Sequence, residues 1–96
     1  MRVLVVEDDP EQRRVFALVI KARGHDVVEC GSVAEARAAG PCEVSFVDKN
    51  LPDGDGLELA RELEGRVYLL TGDDLDDPGV EMLLKPIRPA ELDALL

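Results

Sequence analysis

Val3-Leu4-Val5-Val6-Glu7-Asp8-Asp9-Pro10 is the stretch that decides the fold. An unbroken apolar run of this length suits a strand buried on both faces, as in a parallel sheet. Three acids end the run. Asp9 before Pro10 reads as a helix start, with a short acid capping free amides and proline at the first helical position. Strand, acidic turn and helix follow one another with nothing between.

The pattern continues outward. Val15, Phe16, Val19 and Ile20 form one helical stripe opposite Arg13, Arg14 and Lys21, and Gly24 stops that helix. Residues 26–30 read as a second strand. Ser32-Val33-Ala34-Glu35 has capping-box spacing, so a helix is expected to about Ala39, ended by Gly40-Pro41. A third strand is expected over 44–47, a loop over 50–56 and a helix over 57–64. The fourth and fifth strands fall at 66–70 and 80–84, and Pro89 opens a last helix. Alternation of this kind predicts an α/β fold, a doubly wound five-stranded parallel sheet with right-handed crossovers. Ligands of such sheets bind beyond the carboxyl ends of the strands. Glu7 and Asp8 follow the first strand, Asp48 the third, Thr71 the fourth and Lys85 the fifth, so these polar residues converge on one edge.

Composition narrows the function. The chain has 96 residues, is 46% hydrophobic and is expected to form a single domain, 1–96. Its formal net charge of −10 argues against direct nucleic-acid binding and against anionic membrane surfaces. No apolar run is long enough to span a bilayer, and the first one is too short for a signal peptide. Cys30 and Cys42 lack zinc-ligand spacing and are expected as small buried hydrophobes in a reducing cytoplasm. His25 follows a helix-ending glycine and reads as a turn residue. Gly54 and Gly56 read as turn residues needing unusual backbone angles.

Three acids at one sheet edge need relief. Two carboxylates about 5 Å apart repel by roughly 3 kcal/mol at an effective dielectric of about 20. A proton, a lysine or a hard cation supplies it, and Mg²⁺ is commonly held by one or two carboxylates together with a phosphate. A carboxylate beside such a cation and a lysine can also act as a nucleophile toward a phosphoryl group.

Four separated segments, VLVVEDD at 3–9, VDKNLPDGDG at 47–56, LLTG at 69–72 and LLKP at 83–86, resemble the receiver domain of two-component response regulators. The resemblance covers nearly the whole chain in the right order. It implies a flavodoxin-like sheet of strand order 2-1-3-4-5. It implies Asp48 as the phosphoacceptor, with Mg²⁺ (or Mn²⁺) held by Asp8, Asp48 and the backbone carbonyl of Asn50, and with Glu7 acting through water. Thr71 and Lys85 would contact the phosphoryl group, and Lys85-Pro86 would be a cis peptide. The implied partners are a histidine kinase or phosphotransfer protein and a downstream protein. The implied role is a switch that catalyses only its own phosphorylation and dephosphorylation.

This chain also departs from the family. The segment 71–79 is short for a parallel crossover and rich in Asp, Gly and Pro, so the usual fourth helix is expected to be absent or reduced to one turn. Met82 stands where the family carries its switch aromatic. Thr71, Met82 and Pro86 are therefore the switch residues to follow, and a homodimer through the fourth and fifth strands and the last helix is the self-association this pattern allows. The alternative function is a degenerate receiver, a constitutive interaction or dimerisation module without phosphorylation.

Overall fold

The computed structural model describes residues 1–72 and 79–96. Seven strands and four helices occur among the described residues: β1 (Arg2–Val6), α1 (Pro10–Ala22), β2 (Asp26–Cys30), α2 (Val33–Ala38), β3 (Val44–Asp48), β4 (Asn50–Leu51), β5 (Gly54–Asp55), α3 (Gly56–Glu62), β6 (Arg66–Thr71), β7 (Glu81–Leu84) and α4 (Pro89–Ala94). Five strands form one parallel sheet in the order β2-β1-β3-β6-β7. This is the expected 2-1-3-4-5 order, with β6 and β7 as the fourth and fifth strands.

Side chains alternate across a strand, so a continuous apolar run feeds two cores at once. Leu4 and Val6 of β1 join Val47, Leu69, Val33, Ala36, Leu59 and Ala60 on the face covered by α2 and α3. Val3 and Val5 join Val44, Phe46, Tyr68, Leu70, Ile20 and Leu92 on the face covered by α1 and α4. Phe46 lies at the centre of the second core, stacked on Tyr68 with ring centroids 5.4 Å apart and edge-on to Phe16 at 6.1 Å.

Caps fix the helix starts. Asp9 accepts from Glu11 N at 3.0 Å, Ser32 Oγ from Glu35 N at 3.2 Å and Asp55 from Leu57 N at 3.0 Å. Gly24 follows α1 at φ 85°. The N-terminal amine lies 3.2 Å from His25 Nδ1, which keeps that turn residue far from the carboxyl edge of the sheet. Arg2 ties off the end of α2, donating to the carbonyls of Ala39 and Pro41 at 2.7 and 2.6 Å.

Three expectations need correction. The 50–56 segment is not all loop, because β4 and β5 form a short antiparallel ladder, Asn50 with Asp55 and Leu51 with Gly54. The third helix stops at Glu62, since Leu63 turns extended (ψ 142°) ahead of Gly65 at φ 83°. Positive φ belongs to Gly24, Gly40 and Gly65, not to Gly54 or Gly56. Gly56 is required for space: a β-carbon there would run into the Asp48 carbonyl.

The expected loss of the fourth helix falls on residues 73–78, which lie outside the described residues. Beside that segment, Met82 and Val80 are half-buried and pack against the α2–α3 core. A groove of about 340 Å³ separates the end of α3 from β7, walled by Ala60, Leu63, Val67 and Val80. Leu84 is exposed on the edge strand. No helix of the described residues is long and apolar enough to cross a membrane.

Candidate functional site

The carboxyl ends of β1, β3, β6 and β7 bring the sequence-predicted polar residues together. Glu7 follows β1, Asp48 and Thr71 are the last residues of β3 and β6, and all three are buried. Asp8 is exposed and Lys85, just after β7, is half-buried. Backbone bonds fix the heights of the strand ends: Glu7 N donates to Cys30 O at 2.9 Å, Lys49 N to Leu70 O at 2.9 Å and Lys85 N to Thr71 O at 2.8 Å. The Lys85–Pro86 peptide is cis.

Lys85 reaches back over the edge. Its Nζ lies 3.0 Å from Asp48 Oδ1 and 3.5 Å from Glu7 Oε2. Among the described residues, Lys85 thus faces a group of three acids, because carboxylate oxygens of Glu7, Asp8 and Asp48 lie within 4.8 Å of one another. Glu7 is the acid most affected by these surroundings. Burial pushes its carboxyl up to about 7, and the negative Asp48 and a hydrogen bond with it push the same way. The Asp9 amide, donating to Glu7 Oε1 at 3.2 Å, and the Lys85 charge only partly oppose this. For Lys85, burial disfavours the ammonium, but the hydrogen bond and charge of Asp48 with the charge of Glu7 outweigh it and hold the pKa above its ordinary value.

These donors fit a small hard cation. They are all oxygens, one acid is open to solvent for ligands from water, and burial together with the neighbouring Asp48 charge raises the pKa of Glu7, a strain that a divalent ion would relieve. Asn50, itself exposed, stands two residues past Asp48 at the start of β4. Gly56 N donates to Lys49 O at 2.7 Å and so ties down the chain between Asp48 and Asn50. Asp9 is the helix cap that the sequence suggests. Met82, paired with Leu69 one strand over, is packed toward the α3 side. Pro86 is exposed and lines a cavity of about 540 Å³ that opens beside the acids between α1 and the β7–α4 turn. Glu7, Val15, Phe16, Lys85 and Ile87 complete most of its wall, which is mainly apolar.

Two residues near the site escape sequence reasoning. Arg13 sits on the polar side of α1, where it reads as a solvated cation, yet its Nη1 donates to the Glu7 carbonyl at 2.9 Å and its Nε lies 3.6 Å from Glu29. Asp53 reads as a turn acid, yet it accepts from the amides of Val33 and Ala34 at 2.8 and 3.1 Å. No local pattern signals either contact, because each partner is set by the packing of a different element.

Comparison with known proteins agrees with this geometry. The family model described as the response regulator receiver domain matches residues 3–96. The transcriptional regulatory protein AruR of Pseudomonas aeruginosa is 36% identical over 111 positions, covering 95% of this chain and 46% of that protein. That alignment is longer than this chain, so AruR carries internal residues that are missing here. The chain spans about half the length of this relative. Among solved structures, the receiver domain of the hybrid histidine kinase CckA is similar at 30% identity and TM-score 0.83, covering 99% of this chain and 94% of that one. A two-component response regulator from Clostridium difficile matches at TM-score 0.89 over 99% of this chain and 91% of its own; its 18% identity bears on the fold alone. Sheet order, acidic cluster, reaching lysine and family match converge, and the chain belongs to the response regulator receiver domain family of two-component signalling.

Proposed function

We propose that Asp48 accepts a phosphoryl group from the phosphohistidine of a histidine kinase or phosphotransfer protein, and that residues 1–96 act as one receiver unit in the cytoplasm. The observation that carries this is the contact of Lys85 Nζ with Asp48 at 3.0 Å inside the three-acid cluster. An Asp48 carboxylate oxygen attacks phosphorus, the oxygen–phosphorus bond forms and the nitrogen–phosphorus bond of the donor breaks. The leaving imidazole takes the electron pair and then a proton. Lys85 exchanges the carboxylate for a phosphoryl oxygen, and the Thr71 hydroxyl donates to another. Asp8, Asp48 and the Asn50 carbonyl would hold Mg²⁺, with Glu7 through water and with Mn²⁺ able to substitute. When bound, the ion supplies charge neutralisation at the phosphoryl oxygens.

Output is by protein contact. The −10 charge opposes direct DNA binding, and the role is a switch rather than turnover of a metabolite. The test is incubation with a small phosphodonor and Mg²⁺, then intact mass. A gain of one phosphoryl group that vanishes in Asp48→Ala supports the proposal; no gain, or a gain that survives Asp48→Ala, refutes it. The half-buried Met82 at the switch position favours a second reading, a constitutive interaction module or homodimer through β6, β7 and α4. Absence of NMR shifts at Asp8 and Asp48 on Mg²⁺ titration would select it.

A further inference from the structure

The β4–β5 hairpin grows directly from Asp48, and its tip is tied to a different element. Asp53 sends both carboxylate oxygens to the first amides of α2, with Val33 N donating to Oδ1 at 2.8 Å and Ala34 N to Oδ2 at 3.1 Å. Ser32 caps the same helix through a different amide, that of Glu35. Asp53 therefore satisfies donors that Ser32 leaves, from a turn remote in sequence. Beside it, Gly54 approaches Val33 so closely that a β-carbon would lie 3.1 Å from its Cγ2. The two backbone bonds also hold the Asp53 carboxyl below its usual range. At its other end the hairpin is anchored to the site by the Gly56–Lys49 bond and by Asp55, which caps α3.

We propose that Asp53 is a positioning residue for the cation site: by clamping the hairpin tip to α2 it fixes the backbone of Asn50 and couples the first turn of α2 to metal binding. This rests on the Mg²⁺ site described under the proposed function. Asp53 touches neither the ion nor the phosphoryl group. A carbonyl ligand has no rotamers with which to correct its aim, so it is only as well placed as its peptide. A ladder of two residue pairs is marginal alone, and the clamp supplies the missing restraint. Without it, the ion must order the hairpin as it binds, which costs affinity. Linkage makes the effect reciprocal, so metal binding tightens the bonds to Val33 and Ala34.

Calorimetric titration of the 96-residue chain with MgCl₂ tests this, with amide NMR as a second readout. Asp53→Ala should weaken Mg²⁺ binding by about tenfold, and Asp53→Asn, which keeps one acceptor oxygen, by less. The asparagine variant carries the test where the alanine variant does not fold. Ser32→Ala removes the other cap of α2 and should leave the Mg²⁺ constant within about twofold, although it also weakens the helix. Mg²⁺ should shift the Val33 and Ala34 amides in the wild-type protein and not in Asp53→Ala. Wild-type affinity in both Asp53 variants, or equal weakening by Ser32→Ala, overturns the assignment alone. A wild-type protein that binds no Mg²⁺ overturns the metal-site reading and this assignment with it.

Discussion

Removing the charge of Glu7 should stabilise the metal-free protein above neutral pH and flatten its pH dependence. Glu7 is 5% exposed and shares its surroundings with Asp48, and its carboxyl is pushed up to about 7 from an ordinary 4.5. Between those two values the folded chain holds a proton that the unfolded chain has released. Stability from this group is therefore complete below about pH 4.5, declines as pH rises and is lost once pH passes about 7. A shift of this size corresponds to about 3 kcal/mol. Water and salt at the open rim leave about 2 kcal/mol of it observable.

Glu7→Gln is the informative change. The amide matches the protonated acid in shape and can still donate toward Asp48, but it never ionises. Urea unfolding in EDTA should show the variant about 2 kcal/mol more stable than wild type at pH 8 and equal to it near pH 4.5. Other acids contribute to both curves, so their difference isolates Glu7. Adding Mg²⁺ at pH 8 should narrow or reverse the gap, because the ion stabilises the ionised wild-type cluster more than the neutralised one. Parallel stability curves across pH 5–8 would refute the reasoning, since they would mean that Glu7 ionises in the fold as freely as in the unfolded chain.

Three further outcomes follow from the same geometry. Lys85→Met leaves Glu7 and Asp48 facing each other without a cation and should cost about 2 kcal/mol at pH 8, less at pH 5 where Glu7 is protonated, by urea unfolding in EDTA. Gly56→Ala drives a β-carbon into the Asp48 carbonyl and should cost about 3 kcal/mol, with NMR shifts centred on Asp48 and Lys49. Phe46→Ala empties the space between Tyr68 and Phe16 and should cost about 3–5 kcal/mol while leaving the carboxyl edge of the sheet in place, read as lost stability with Mg²⁺ affinity retained.

The site was legible where each of its residues ends an apolar strand. The run 3–6 announces β1, so Glu7 and Asp8 are placed by counting; Asp48, Thr71 and Lys85 follow from their own strands in the same way. What stayed hidden depends on distances between elements. A glycine in the sequence does not say whether it supplies an angle or a space, and Gly56 supplies space because Asp48 lies under it. Val15 shares the helical stripe of Ile20, yet it is exposed while Ile20 is buried, because Val15 lines the open cavity beside Lys85 and Ile20 packs into the core. The β4–β5 ladder is too short for period-two alternation to register. Leu63 looked helical because it is apolar and in phase with Leu59, but Gly65 draws the chain out and Leu63 packs on the core in extended form.

The cluster is built against stability, and that fact connects the fold to the switch. A carboxyl held near pH 7, a lysine shared by two acids and a glycine with no room for a β-carbon all meet at Asp48. The surrounding strands tolerate them because β1 and β3 are sealed on both faces, with Val5, Val6, Phe46 and Val47 fully buried just beneath. Polar groups at the ends of such strands have little freedom to separate, so repulsion among them cannot relax by movement. It relaxes by a change of charge, through a proton on Glu7 or a cation among the three acids, and it is eased while Lys85 stays on Glu7 and Asp48. Under the proposed function, a phosphoryl group on Asp48 would add negative charge and draw Lys85 away from Glu7, and so would raise the demand for the proton or the cation. The proposed phosphorylation would therefore act on the same deficit of positive charge that the proposed cation would fill. Glu7, though it need not touch the phosphoryl group, sets how large that deficit is at a given pH.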